Sequence, residues 1–311
     1  MISDTFTFKG SDGKEIFTHK WLPENKTNIK AIVQIAHGMA EHSARYLNFA
    51  EKLTENNFAV YANDHRGHGK TAGAVENLGL YADSNGWDLV VNDMNQLTTT
   101  IKNNHAGLPV FLFGHSMGSF LARDYMFTHG DDIAGVILSS TGGDPGMLGN
   151  AGILVSKIES MLRGKTAQSK LMDMLSFGSF NKAFKPNRTD FDWLSSVNEE
   201  VDKYINDPLC GTVFKAGFFN DLLKGIKKIN KSKNIQKIRK NLPVYLFSGT
   251  NDPVGDFAKG VKQVYKSYEK AGLENLNIKL YENGRHEMLN ESNREEVYND
   301  VINWFNSHLP A

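Results

Sequence analysis

The sequence is short of cysteine, of long uncharged apolar runs and of any excess of one charge. Cys210 is the only cysteine, so an intrachain disulfide is excluded and the fold needs no oxidising compartment. No stretch approaches the roughly 18 apolar residues of a membrane-spanning helix, and residues 1–10 lack the features of a signal peptide. Basic and acidic side chains number 35 each, which leaves no global attraction to nucleic acid. We therefore expect a cytoplasmic protein without a nucleic-acid partner.

What the sequence does contain is a regular alternation of strand and helix patterns. Residues 4–9 and 14–22 alternate polar and apolar side chains, which is typical of an antiparallel hairpin at a sheet edge. Apolar runs that predict buried strands follow at 31–36, 58–62, 110–113, 135–139, 242–249 and 277–281. Helical spacing predicts helices at about 46–56, 87–102, 257–271 and 294–307, and one more that ends near residue 127. The alternation predicts one α/β domain with a mostly parallel sheet.

Residues 146–235 interrupt this alternation, because they contain few strand signals and many apolar residues at helical spacing. Between two late strands, such an insertion predicts a helical lid subdomain (146–235) on a core domain (1–145 and 236–311). The insertion carries 14 basic and 9 acidic side chains, a net charge of +5, over an acidic body. We expect most of its apolar stripes, at 147–162 and 171–180, to pack on the body. Alternatively, some line an acyl tunnel, and a basic, apolar lid contacts a lipid surface transiently.

The clearest chemical signal is the segment GHSMG at residues 114–118, which follows an apolar strand and precedes a helical pattern. Strand, G-x-S-x-G and helix in this order form a nucleophile elbow, whose tight turn presents the serine hydroxyl above the sheet edge. The glycines two residues before and after Ser116 keep neighbouring backbone from clashing there. We therefore predict Ser116 as a nucleophile. The alternative is a glycine-rich turn with a capping serine.

A serine hydroxyl becomes a good nucleophile only when a base takes its proton and a carboxylate orients that base. In folds with this elbow, the acid and then the histidine follow on loops after later strands. The loop after strand 242–249 carries Asp252 and, four residues on, the competing acid Asp256. The loop after strand 277–281 carries His286. We predict Asp252 and His286 as the acid and the base, and Asp256 as a helix-capping residue.

Two backbone N–H groups are needed to stabilise the negative charge that develops on a substrate oxygen. Met117, directly after the nucleophile, should supply one, and Met39, in the glycine-containing loop after strand 31–36, the other. His37 should brace that loop through hydrogen bonds. His65 and His68 flank a glycine turn after Asp64, and we interpret them as braces of this turn rather than as metal ligands. We expect neither a metal ion nor an organic cofactor.

Five segments carry a family resemblance: HGMAEHSARY at 37–46, DHRGHG at 64–69, GHSMG at 114–118, GTNDPV at 249–254 and GRHEMLNE at 284–291. In this order they resemble the motifs of the monoacylglycerol lipase and lysophospholipase group of the α/β-hydrolases, and they span nearly the whole chain. Residues 191–194 and 204–210 in the insertion also resemble bacterial members. Ser119 departs from the pattern, since a third glycine is common there.

The resemblance implies an α/β-hydrolase fold and a serine ester hydrolase that acts on single-chain lipid esters without a cofactor. It also implies that Glu41 and Arg45 hold the polar glycerol end of the substrate. A salt bridge within the loop is the alternative for this pair. A short-chain carboxylesterase, a serine peptidase or a non-catalytic binding protein on the same fold are alternative functions. The sequence carries no signal for oligomeric state.

Overall fold

The structure, a computed structural model, describes residues 1–309. Its strands form one eight-stranded sheet in the order β1-β2-β4-β3-β5-β6-β7-β8. The strands are β1 (Ile2–Lys9), β2 (Glu15–Leu22), β3 (Ala31–Ala36), β4 (Phe58–Asn63), β5 (Val110–His115), β6 (Gly135–Ser139), β7 (Val244–Gly249) and β8 (Leu276–Tyr281). β1 and β2 pair antiparallel, β2 pairs antiparallel with β4, and every pair from β4 through β8 is parallel. The predicted mostly parallel sheet with an N-terminal hairpin at its edge is therefore confirmed.

Ten α-helices surround this sheet within residues 1–309. They are α1 (Leu47–Glu55), α2 (Gly86–Asn104), α3 (Met117–Thr128), α4 (Gly146–Arg163), α5 (Lys170–Phe177), α6 (Asn198–Asn206), α7 (Ala216–Ile229), α8 (Ser232–Ile235), α9 (Lys259–Lys270) and α10 (Arg294–Ser307). Helices α1 and α10 pack on one face of the sheet, and α2, α3 and α9 pack on the other. Because both faces are covered, the inner strands β3 to β7 are buried throughout, which explains their continuous apolar runs.

Most predicted bounds agree with the structure to within two residues, and β3 and α10 have the predicted ends. Helix α9 begins at Lys259, two residues later than predicted, and β7 begins at Val244 rather than at residue 242. The late start of α9 has a backbone cause. Asp256, Phe257 and Ala258 have φ angles of 48°, 53° and 69°, which no right-handed helix accepts. The predicted helix cap at Asp256 is therefore wrong, since the N-cap position belongs to Ala258.

Helices α4 to α8 lie between β6 and β7, where the sequence predicted a helical insertion. The expectation that the apolar stripes mostly pack on the body is wrong for α4. Six of its apolar side chains are exposed, namely Met147, Leu148, Leu154, Ile158, Met161 and Leu162. Its polar Ser156 and Glu159 are buried instead, because Ser156 bonds Asn220 of α7 and Glu159 accepts from the Ser169 hydroxyl. On α5, Leu171, Met174 and Leu175 are exposed and Met172 is buried.

Among residues 1–309, none of the helices has the length and apolar character needed to cross a membrane.

Candidate active site

Ser116 lies at the tight junction between β5 and α3, as predicted. Its φ of 52° is unusual for a residue with a side chain and marks a strained turn. A Cβ atom on Gly114 would lie 2.5 Å from the Gly118 carbonyl oxygen, and one on Gly118 would lie 2.0 Å from the Ala36 carbonyl oxygen. Both positions therefore require glycine, and this packing sets the serine against the end of β3.

Asp252 and His286 come together from the ends of β7 and β8. The Oδ1 atom of Asp252 lies 2.9 Å from Nδ1 of His286, and both side chains are buried. The same oxygen accepts the Val254 N–H at 2.9 Å, and Oδ2 accepts the Ser248 hydroxyl at 3.0 Å. A carboxylate with this many donors keeps its charge and fixes the orientation of the ring, so the unprotonated Nε2 is free to accept a proton.

The electrostatics of this pair favour a basic imidazole. Burial lowers the pKa of His286, but the Asp252 carboxylate more than offsets it, with help from Glu287 and Glu41, and the pKa is raised. Burial raises the pKa of Asp252, and the neighbouring His286 and its hydrogen bonds outweigh this and lower it. Ser116 and His286 line the same cavity. Within residues 1–309, no hydrogen bond joins the Ser116 hydroxyl to the imidazole, a gap that often closes only when substrate binds.

Met39 and Met117 both line the cavity beside Ser116. In the part of the chain that the structure describes, neither backbone N–H donates a hydrogen bond to a protein acceptor. His37 accepts the His65 N–H on Nε2 at 2.9 Å, so its Nδ1 carries the proton and donates to the Gly38 carbonyl at 2.7 Å. Because that carbonyl and the Met39 N–H belong to one planar peptide unit, His37 fixes the direction of the Met39 donor. The predicted bracing role of His37 is confirmed.

Glu41 is buried and forms an ion pair with the partly buried Arg45, with Oε2 of Glu41 2.7 Å from Nη1 of Arg45. The guanidinium also makes two hydrogen bonds to Glu287, of 2.6 and 2.7 Å. Oε1 of Glu41 accepts the Gly38 N–H at 2.5 Å and the Tyr46 hydroxyl at 2.8 Å. Glu41 lines the cavity and Arg45 lies behind it. These contacts match the alternative interpretation of Glu41 and Arg45, a salt bridge within the loop, and Glu287 extends that salt bridge.

The other polar residues that the sequence singled out lie away from the hydrogen-bonded pair of Asp252 and His286. Asp256 is exposed and lies 3.4 Å from Lys259, so it makes an ion pair at the rim of the cavity and not a contact with His286. His65 and His68 are buried with Nε2 atoms that have no partner among residues 1–309. Among residues 1–309, metal-ligand spacing is found not at these two histidines but in a group formed by His42, Asp207 and Cys210.

The cavity over Ser116 has a volume of about 580 Å³ and a largely apolar lining. Both the core and the insertion supply residues to its walls. The apolar lining residues on α3, α4 and α7 are Phe120, Leu148, Phe219, Leu222, Leu223 and Ile226. The polar residues that line it include Ser116, Glu41 and His286, and also Asp144, Asp256, Lys259 and Gln263. A pocket of this size and shape suits one flexible apolar chain with a polar end.

Four residues of the site had not been predicted: Trp193, Ser140, Ser248 and Glu287, which binds Arg45 as described above. Trp193 of the insertion packs against His286 with ring centroids 5.1 Å apart, and Ser140 donates to the His286 carbonyl at 2.6 Å. Ser248 binds Asp252, as described above. Ser248 ends a predicted strand near the predicted acid, which is a weak signal. Nothing in the sequence around Trp193 indicates a contact with a residue on another loop.

Comparisons with known proteins agree with this geometry. The family model described as "Serine aminopeptidase, S33" matches residues 27–293. A monoglyceride lipase of Rattus norvegicus is 30% identical over 305 residues, which cover 96% of this chain and 87% of the relative. A monoacylglycerol lipase of Mycolicibacterium smegmatis is 27% identical over 312 residues, 99% of this chain and 100% of the relative. The crystal structure of a thermostable carboxyl esterase from Bacillus coagulans, in complex with glycerol, has a TM-score of 0.90 and 30% identity over 100% of both chains.

Proposed function

The chain belongs to the serine aminopeptidase S33 family of α/β-hydrolases, and from this premise we propose that its substrates are single-chain lipid esters, chiefly monoacylglycerols. It is a serine hydrolase that acts on ester bonds, like its lipase and esterase relatives. The proposal concerns the substrate, the role of each residue and the role of the insertion. The cytoplasmic location expected from the sequence stays a prediction.

The observation that supports this substrate most directly is the shape of the cavity. Its apolar walls offer contact to one acyl chain, and its polar lining residues include both Ser116 and Glu41. Oε1 of Glu41 already accepts two hydrogen bonds, whereas among the described residues 1–309 Oε2 accepts only the one from Arg45. Because a carboxylate oxygen has two lone pairs, Oε2 keeps one for a glycerol hydroxyl. Arg45 then acts through Glu41 and does not touch the substrate.

The reaction runs through an acyl-enzyme in this proposal. Nε2 of His286 takes the Ser116 proton while the serine oxygen attacks the ester carbonyl, and Asp252 stabilises the imidazolium that forms. The Met39 and Met117 N–H groups donate to the oxygen on which negative charge develops. The imidazolium then gives its proton to the departing glycerol oxygen. A water molecule, activated by the same imidazole, releases the fatty acid and restores the serine.

Residues 146–235 act as the lid of this site. The apolar side chains that α4 exposes, together with the net charge of +5, suit a surface that contacts lipid. The exposed fractions of Met147, Leu148 and Leu162 are 86%, 83% and 80%. Leu148 also lines the cavity, so the exposed face continues into the pocket. A monoacylglycerol would pass from a membrane into the site along this face.

Turnover of four substrate classes by the wild type and by Ser116→Ala tests the proposal. We expect kcat/KM to be highest for a long-chain monoacylglycerol, lower for lysophosphatidylcholine and 4-nitrophenyl butyrate, and negligible for an aminoacyl 4-nitroanilide. Loss of the nucleophile should lower kcat about a million-fold and leave the melting temperature nearly unchanged. A fluorophosphonate probe should label the wild type and not the variant.

Each alternative function predicts a different result. Faster turnover of lysophosphatidylcholine would assign a lysophospholipase, and cleavage of the anilide a peptidase. A preference for butyryl over palmitoyl esters would assign a short-chain carboxylesterase. Neither labelling nor turnover in the wild type would assign a non-catalytic binding protein.

A further inference from the structure

A row of three charged side chains connects the two loops of the proposed active site. Glu41 lies in the loop after β3, Glu287 directly follows His286, and Arg45 lies between their carboxylates. The two carboxylates are buried, at 3% exposure for Glu41 and 5% for Glu287, and the Arg45 side chain is 12% exposed. Glu41 and Glu287 are 246 positions apart in the chain, so this contact joins the first and last parts of the core.

The Glu41 end of the row holds the loop that carries Met39. Its Oε1 atom accepts the Gly38 N–H, and His37 holds the Gly38 carbonyl. Two successive peptide units are therefore fixed, and the Met39 N–H, which belongs to the second of them, donates to no acceptor among residues 1–309. A Cβ atom on Gly38 would lie 2.7 Å from Oε1 of Glu41, so the carboxylate approaches as closely as a glycine allows.

The Glu287 end holds the loop that carries His286. Both Glu287 oxygens bind the Arg45 guanidinium, and Oε2 also accepts the Asn290 side-chain amide at 2.8 Å. The Glu287 N–H donates to the Leu194 carbonyl at 2.7 Å. These contacts fix Glu287, which is the residue next to the base. The negative charge of Glu287 therefore stays near the His286 imidazole.

We propose that Glu41, Arg45 and Glu287 are positioning residues of this enzyme, which hold the Met39 donor and the His286 base in one mutual geometry. The proposal rests on the proposed function of Ser116 and His286. Two carboxylates on one guanidinium keep their charges despite burial, whereas loss of Arg45 would leave them facing each other. The row also acts on the base electrostatically, because negative charge near an imidazole favours its protonated form.

The charged and titratable groups around His286 come from several elements: Asp252 after β7, Glu287 in its own loop, Glu41 and Arg45 after β3, and His115 on β5. Asp252, Glu287 and Glu41 raise the pKa of His286. The base acts only when it is neutral, so this pKa sets the acid limb of kcat/KM. Removal of the Glu287 charge should lower the pKa and move the acid limb to lower pH.

The test compares Glu287→Gln, Arg45→Lys and their double variant with the wild type, on a soluble 4-nitrophenyl ester and on monoacylglycerol. We expect each single variant to lower kcat for the soluble ester about 10- to 100-fold with KM within about threefold, because this substrate has no glycerol end for Glu41 to bind. The kcat of the double variant should be no lower than that of the less active single variant, because the residues act as a unit. Lys102→Met removes an exposed charge paired to Asp132 and serves as the control.

Two readouts separate positioning from mere support of the fold. In Glu287→Gln the acid limb of kcat/KM should move to lower pH, and Arg45→Lys gives an independent kcat if that variant folds poorly. A lower melting temperature with kcat within twofold of the wild type and an unmoved acid limb would overturn the inference. A wild type that neither turns over esters nor takes up the fluorophosphonate probe would instead overturn the proposed function.

Discussion

The Asp252 carboxylate holds the His286 imidazole through Oδ1 at 2.9 Å, while the Val254 N–H donates to the same oxygen and the Ser248 hydroxyl to Oδ2. The relationship joins two strand ends that are neighbours in the sheet, since β7 pairs with β8 along their whole length. The carboxylate is fully buried, so its charge has no competition from water. The Asp252 carboxylate therefore fixes which ring nitrogen of His286 carries the proton.

Replacement of Asp252 by Asn should inactivate the enzyme without unfolding it. The amide matches the carboxylate in shape but stabilises the wrong imidazole tautomer, so we expect kcat to fall about 10,000-fold. Asp256→Asn is the matched variant, because Asp256 is the other acid on this loop and its ion pair in the described part of the chain is with Lys259. It should stay within about threefold of the wild type in kcat. Equal losses in the two variants would contradict the assignment of Asp252.

Local chemistry made most of the core predictable. A buried parallel strand needs an apolar run and a nucleophile elbow needs small residues at two positions, so β3 and the Ser116 turn could be predicted from a few neighbours in sequence. The order of strands then placed Asp252 and His286 on adjacent loops. Each of these inferences needed only a pattern and the carboxyl ends of a parallel sheet.

Contacts between distant segments were not predictable in the same way. The periodicity of α4 indicates an apolar face but not what that face meets, and the polar bonds of Ser156 and Glu159 turn it outward. The bond between Arg45 and Glu287 joins residues 242 positions apart. Ser156, Glu159 and Glu287 have an ordinary surface interpretation in the sequence, and only the fold shows that they are buried.

The exposed face of α4 should bind lipid surfaces. We expect the double variant Leu154→Glu/Leu162→Glu to bind phosphatidylglycerol vesicles at least about tenfold more weakly, since each buried leucine contributes about 1.5–3 kcal/mol. Hydrolysis of monoacylglycerol in vesicles should fall in parallel, and that of soluble 4-nitrophenyl butyrate should not. Vesicle sedimentation and both rates give the measurement.

Val75→Glu is the control for this prediction, because Val75 is a body residue with 51% exposure outside the insertion. It should bind vesicles like the wild type. Equal loss of binding in the control would show a general effect of charge. Unchanged binding of the α4 double variant would exclude this face as the lipid contact.

The far wall of the cavity should set the preferred acyl length. Ile226 of α7 lines the cavity and is 9% exposed. Replacement by Trp fills part of the volume, so we expect kcat/KM for a palmitoyl ester to fall at least about tenfold relative to a butyryl ester. Ile226→Leu keeps the volume and should keep the wild-type ratio. A palmitoyl-to-butyryl ratio that Trp leaves unchanged would show that the chain binds elsewhere.

The buried turn histidines should make the protein sensitive to acid. Burial, with His37 nearby, lowers the pKa of His68 from 6.5 to about 3. Below pH 6.5 the unfolded chain therefore binds a proton at this position that the folded protein does not, so the free energy of unfolding falls as pH falls. One such histidine contributes up to about 1.4 kcal/mol per pH unit. His37 and His65, whose pKa values burial also lowers, add to the slope.

Urea unfolding of the wild type and His68→Gln at about pH 8.5, 7.5, 6 and 5 measures this contribution, at values chosen on both sides of the ordinary histidine pKa of roughly 6.5. Glutamine takes up no proton, so the variant should lose less stability between pH 6 and pH 5 than the wild type, by up to about 1.4 kcal/mol. The test is the slope of the free energy of unfolding against pH, because glutamine in a buried site also lowers stability at every pH. Above pH 7, where the imidazole is neutral in both states, the two slopes should coincide. Parallel curves down to pH 5 would mean that His68 takes up its proton in the folded protein as readily as in the unfolded chain.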